Sequence, residues 1–248
     1  MAKRFKSLLL VFIACLASSS SMAEAPVVIS VDEGNPPFMY SWEGKAAGIY
    51  PAVIAAAMGR AGIDVVLQTR PWKRALNEME QGKAGVGGIY KTDERLLKYD
   101  FSVPIRLENV AVYFNRASPV NCETLAGLNG KRVGVLLGWS YGDRFDEARK
   151  SGKFLVEGVS NDRANLLKLT AGRLDAVLSI EESASAVIAT ERLSNLDQCQ
   201  TYLAPNPAYL AFAKQAKRAD LLDRFNKSID AMKQDGSLEK IVLQELAR

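Results

Sequence analysis

The 248-residue chain has no histidine and only three cysteines. Without histidine it lacks both the commonest general base and the commonest metal ligand, which excludes Ser-His-Asp and Cys-His catalysis. No cluster of Cys, Asp and Glu shows metal-ligand spacing, so the pattern gives no metal site either. The run Gly85-Val86-Gly87-Gly88 is not followed by Lys-Ser/Thr and reads as part of a strand, not as a phosphate loop. After the first two dozen residues no apolar run approaches the ~20 residues of a membrane helix, and no block of Lys and Arg points to nucleic acid. What remains is binding of a small molecule with no cofactor.

What is present begins with an export signal. Lys3, Arg4 and Lys6 form a basic start, Leu8 to Leu16 an apolar stretch, and Ser21-Met22-Ala23 a small-x-small cleavage site, so the mature chain is expected to start at Glu24 in the periplasm. Cys15 raises lipidation as an alternative, against which Phe12-Ile13-Ala14 is a poor match to a lipoprotein box. Removing the leader takes away three of the 32 basic residues and leaves 29 against 28 acidic ones, so charge says little about the partner. Cys122 and Cys199 remain, an even number in an oxidising compartment. Both sit in polar, turn-like settings, which favours a disulfide worth about 4 kcal/mol by the chain-entropy relation; the alternative is two buried free thiols.

Short apolar strands alternate with amphipathic helices, the pattern of an α/β protein built on parallel sheet. Strands are expected at 27–31, 64–68, 83–90, 110–114, 130–136, 174–178 and 210–213, and helices at 51–60, 71–80 and 161–171. Two more helices close the chain, the first behind Asp220 as cap and the second after Gly236-Ser237. Ser140 is expected to cap the helix after the turn Gly138-Trp139-Ser140-Tyr141-Gly142. The stretch Lys91 to Pro104 carries the chemistry. Thr92 can cap a helix whose free N–H groups lie with the guanidinium of Arg95 at the carboxyl end of a strand, which is a hook for a carboxylate.

In order along the chain come Asn35-Pro-Pro-Phe38, Gly44 to Gly48, Glu80-Gln-Gly-Lys83, Thr92-Asp-Glu-Arg95, Asp100-Phe-Ser-Val-Pro104, Gly130-Lys-Arg-Val-Gly134, Leu169-Thr-Ala-Gly-Arg-Leu-Asp-Ala176 and Asp235-Gly-Ser-Leu238. With these motifs the chain resembles the periplasmic solute-binding proteins of the polar amino-acid ABC-transporter type, over nearly all of its mature length. The resemblance implies a two-lobed clamshell (type II), with lobe 1 formed by 24–112 plus 206–248 and lobe 2 by 113–205. Hinge strands are expected at Val110 to Arg116 and Tyr202 to Tyr209. A small ligand would be trapped when the lobes close, and the partners would be an amino acid or related carboxylate and a membrane permease, the protein itself being a monomer.

The same resemblance assigns candidate ligand contacts. Arg95 matches the arginine that pairs with the ligand carboxylate, and Ser140 the donor to that carboxylate from the second lobe. Trp72 stands where relatives place an aromatic wall, and Asp32 where relatives that take cationic amino acids contact the ligand side chain. Three positions depart from the pattern. The aspartate that holds the ligand ammonium is Ile180 here, with Glu181 or Glu182 as candidate substitutes. Gly85 replaces another aspartate, putting Tyr90 near a position usually held by a small hydroxyl residue, and Trp139 replaces a small residue. The cleft is thus more aromatic than usual, and an organic anion rivals an amino acid as ligand. An enzyme of the cyclohexadienyl dehydratase type, with Glu181 or Glu182 as acid, and a sensor feeding a receptor kinase are the alternatives to transport.

Overall fold

The computed structural model describes residues 25–200 and 203–247. The signal region with Cys15, and Tyr202 of the second expected hinge strand, lie outside the described residues. In chain order the first half contains β1 (Val27–Asp32), β2 (Gly34–Asn35), β3 (Met39–Trp42), β4 (Lys45–Ala47), α1 (Ile49–Arg60), β5 (Val65–Arg70), α2 (Trp72–Glu80), β6 (Gly85–Tyr90), α3 (Asp93–Lys98), β7 (Tyr99–Phe101) and β8 (Arg106–Asn115). The second contains β9 (Arg132–Leu136), α4 (Asp143–Lys150), β10 (Leu155–Val159), α5 (Asp162–Thr170), β11 (Ala176–Ile180), α6 (Glu181–Glu191), β12 (Leu196–Gln198), β13 (Ala204–Ala213), α7 (Ala219–Gln234) and α8 (Ser237–Leu246).

Two parallel units make up the sheet. β1 pairs in parallel with β5 and β6, and β9 in parallel with β10 and β11. Each unit arises from strands separated by a helix, and such crossovers return the chain in the same direction. The two parallel units are joined, as expected, by two strands: β8 and β13 run antiparallel to each other and to β11 and β6, so the strand path β10-β9-β11-β8-β13-β6-β1-β5 is continuous and mixed. A two-lobed clamshell with two connecting strands is the result. The mixed character was not legible because β13 returns from far along the chain to lie between strands laid down earlier.

Local chemistry explains most element ends. Thr92 accepts the Arg95 amide at 3.1 Å and starts α3 as expected, and Asn161 does the same for Ala164 ahead of α5. Two expected caps fail. Ser140 is not the cap of α4, which begins after Gly142; its hydroxyl instead bonds the Asp146 carboxylate and accepts the Gly142 amide. Asp220 lies inside the first turn of α7, which begins after Arg218. Gly85 is glycine for a packing reason, since a Cβ there would lie 2.5 Å from the Phe212 ring. Cys122 and Cys199 form a disulfide, with their Cα atoms 6.0 Å apart.

Candidate functional site

The carboxyl ends of β1 and β6 and the turn after β9 meet between the lobes, where open α/β sheets bind ligands. Asp32 ends β1, and its Oδ2 accepts the Trp139 indole N–H at 2.8 Å across the cleft. Its Oδ1 accepts the Gly34 amide at 3.3 Å. Burial pushes the Asp32 carboxyl up to about 6, against the pull of those bonds. The Trp139 ring sits 5.8 Å from Trp72, 6.1 Å edge-on from Tyr90 and 6.4 Å from Tyr141. The sequence-expected residues Asp32, Trp72, Tyr90 and Trp139 are therefore one cluster. Trp139 is buried among these groups, and the cavity lined by Asp32, Trp72, Lys73 and Ser160 measures only about 70 Å³. A larger cavity of about 470 Å³ beside the disulfide shares Tyr141 but includes neither Arg95 nor Asp32.

Arg95 joins the cluster through Tyr90. Its Nη1 donates to the Tyr90 carbonyl at 2.9 Å, and among the described residues the guanidinium has no ion pair. Burial lowers its pKa, so a carboxylate is the partner that would offset its desolvation. Ser140 follows Trp139 but is engaged with Asp146. Glu181 accepts from Gln198 Nε2 at 3.3 Å, and Glu182 pairs with Arg106 at 2.9 Å. Ile180 is buried at the end of β11, so that position holds no charge.

Three features escaped sequence reasoning. Glu108 of β8 is buried and accepts the hydroxyls of both Tyr50 and Tyr90, and burial together with nearby Glu182 holds its carboxyl well above the usual range. Its signal was there, because Glu108 shares the buried face of its strand with Val110 and Val112. Asp162, the first residue of α5, is buried and pushed up to about 7, chiefly by desolvation, with the charge of Asp32 adding to it. As an acidic residue after a cap it reads from sequence as a dipole partner. The third feature is a contact between lobes: Ser183 Oγ lies 2.8 Å from Asn35 Oδ1 and 2.9 Å from the Pro36 carbonyl. Elsewhere on the same seam the Asp93 amide donates to Asp143 Oδ1 at 3.2 Å.

Two lobes, two crossing strands and a cleft at the sheet ends define a clamshell binding protein. Residues 27–245 match the model of the bacterial extracellular solute-binding proteins, family 3, and the chain belongs to that family. It is 24% identical over 223 residues to the L-cystine-binding protein TcyJ of Escherichia coli (strain K12), covering 87% of this chain and 80% of that protein. It is 23% identical to the arginine-binding extracellular protein ArtP of Bacillus subtilis (strain 168), over 95% of this chain and 96% of that one. Among solved structures, an ancestral arginine-binding protein bound to arginine superposes with TM-score 0.76 at 25% identity, over 89% and 98% of the two chains. A histidine kinase sensor domain with similarity to periplasmic binding proteins superposes at 0.78 with 22% identity, over 90% and 96%, a likeness of fold. Among the described residues no helix is long and apolar enough to cross a membrane.

Proposed function

We propose that this protein captures an amino acid outside the cytoplasm, by closing lobe 1 (24–112 plus 206–248) onto lobe 2 (113–205), and delivers it to an ABC permease. It acts as a binder, without turnover. The observation that carries the reading is Arg95 of α3, a part-buried guanidinium set against the end of β6, whose hydrogen bond among the described residues is to the Tyr90 carbonyl. A planar carboxylate satisfies such a group with two parallel charge-assisted bonds. The relatives named for cystine and arginine binding supply the ligand class. Because Trp139 is buried against Trp72 and bonded to Asp32 across the cleft, entry of a ligand there would require the lobes to part and the indole to shift.

A thermal-shift screen of L-amino acids and small carboxylates tests the reading. Mass action links affinity to melting temperature, so the true ligand raises Tm in the wild type and Arg95→Ala abolishes that rise. An unchanged rise in the variant removes Arg95 from the site. No response to any amino acid refutes the ligand class.

A further inference from the structure

The family places the aspartate for the ligand ammonium where this chain has Ile180, and the two expected substitutes are engaged, Glu181 with Gln198 and Glu182 with Arg106. A different carboxylate stands next to that position. Asp162 lies beside Ser179, the residue before Ile180 on β11, whose side chain favours the charged carboxylate while its hydroxyl donates to the Ile180 carbonyl at 3.3 Å. Asp162 is only 4% exposed, and its Oδ1 has no hydrogen-bond partner. The start of α5 also lies against lobe 1, for a Cβ on Gly34 would sit 2.7 Å from the Ser160 carbonyl and 3.6 Å from Asn161 Cβ. Asp162 is thus on the seam where the lobes meet.

Among the described residues Asp162 forms no ion pair, although Lys73 lines the cavity shared by Asp32 and Ser160. Asp32 at the end of β1 acts on Asp162 from across the cleft, Tyr90 of β6 and Tyr141 after β9 feel its charge, and no lysine or arginine is among the groups that shift it. Helix capping does not account for this burial, because Asn161 already caps α5 through the Ala164 amide. A buried carboxylate that no positive group compensates is costly, and it is retained where an arriving cation offsets the cost.

We propose that Asp162 receives the ammonium group of the ligand, taking over from Ile180, while Arg95 holds the carboxylate. This rests on the amino-acid reading above, and Asp32 then faces the same end of the ligand after Trp139 has shifted from it. Recognition would come from the start of α5 instead of the end of β11. Selection would follow from charge: an amino acid binds, and the acid of the same skeleton that lacks the ammonium does not.

Calorimetric titration of the purified protein tests this with the common L-amino acids and L-cystine, pairing each binder with its 2-hydroxy acid. The wild type should prefer the amino acid by about a hundredfold, the order expected for a buried charge left without its partner. Asp162→Asn should reduce that preference to about threefold or less, while its unliganded Tm at pH 8 stays level or rises, because a costly buried charge is gone. A purely structural Asp162 would instead lower Tm and leave the preference intact. If Asp162→Asn fails to fold, Asp162→Ser carries the same test, and Ile180→Asp in either background should restore the preference. Retention of the wild-type preference in the variant overturns the proposal and leaves the binding function standing. Equal binding of hydroxy and amino acids by the wild type does the same, whereas no binding of either overturns both.

Discussion

Asp32→Asn should make the unliganded protein more stable at neutral pH and leave it nearly unchanged in acid. The Asp32 carboxyl rises from 3.8 to about 6 on burial. At 1.36 kcal/mol per pH unit this gap costs the folded state about 3 kcal/mol once pH exceeds the folded value. The sign follows from a raised pKa: the favourable contribution is complete below 3.8 and is lost as pH climbs through about 6. Asparagine keeps one acceptor oxygen, which the Trp139 indole can use, while its amide nitrogen takes the place of the oxygen that accepts the longer Gly34 bond, at a cost of about 1 kcal/mol. The net gain is about 2 kcal/mol at pH 7.5, or about 4–8 °C in Tm for a chain of this size. At pH 4 the calculated cost of the carboxylate is about 0.5 kcal/mol, so the advantage should vanish. Scanning calorimetry of both proteins at pH 4, 5, 6 and 7.5 measures the difference. A variant less stable than wild type at pH 7.5, or a difference independent of pH, refutes the reasoning.

Two further outcomes follow from the packing. Gly34→Ala should hinder closure, because the added methyl would meet the Ser160 carbonyl of the opposite lobe at 2.7 Å while the lobe itself has room for it when open. Small-angle scattering with saturating ligand should show a larger radius of gyration than the wild type, and an identical radius would refute the seam described here. Replacing Cys122 and Cys199 by serine opens a 77-residue loop and should lower stability by about 4 kcal/mol in urea unfolding. A loss under about 1 kcal/mol would show that the unfolded chain is not restrained by the bond.

The sequence made local features readable and left distant ones hidden. Thr92 with Arg95 three residues later, and Gly172 at φ +68 past the end of α5, are decided within one helical turn. The aromatic character of the cleft was also readable, because Trp72, Tyr90 and Trp139 stood at positions the motifs fixed. That Trp139 donates to Asp32 was not, since 107 residues separate them and only the lobe geometry joins them. Ser140 shows the limit of local rules: a serine ahead of a helix reads as a cap, yet the carboxylate of Asp146 on the next turn competes successfully for its hydroxyl. Asp162 looked ordinary for the same reason in reverse, as nothing in its neighbourhood along the chain shows that it is buried.

The disulfide joins the two connecting strands beyond the stretch in which they pair. Cys122 lies beyond the end of β8, Cys199 lies just before β13, and the Cys199 amide is tied to the Val112 carbonyl at 2.9 Å. The two connecting strands are therefore tied together beyond the five facing pairs that run from Ala204 with Val110 to Ala208 with Arg106. Under reducing conditions that tie is lost, and the jaws should swing with less definition.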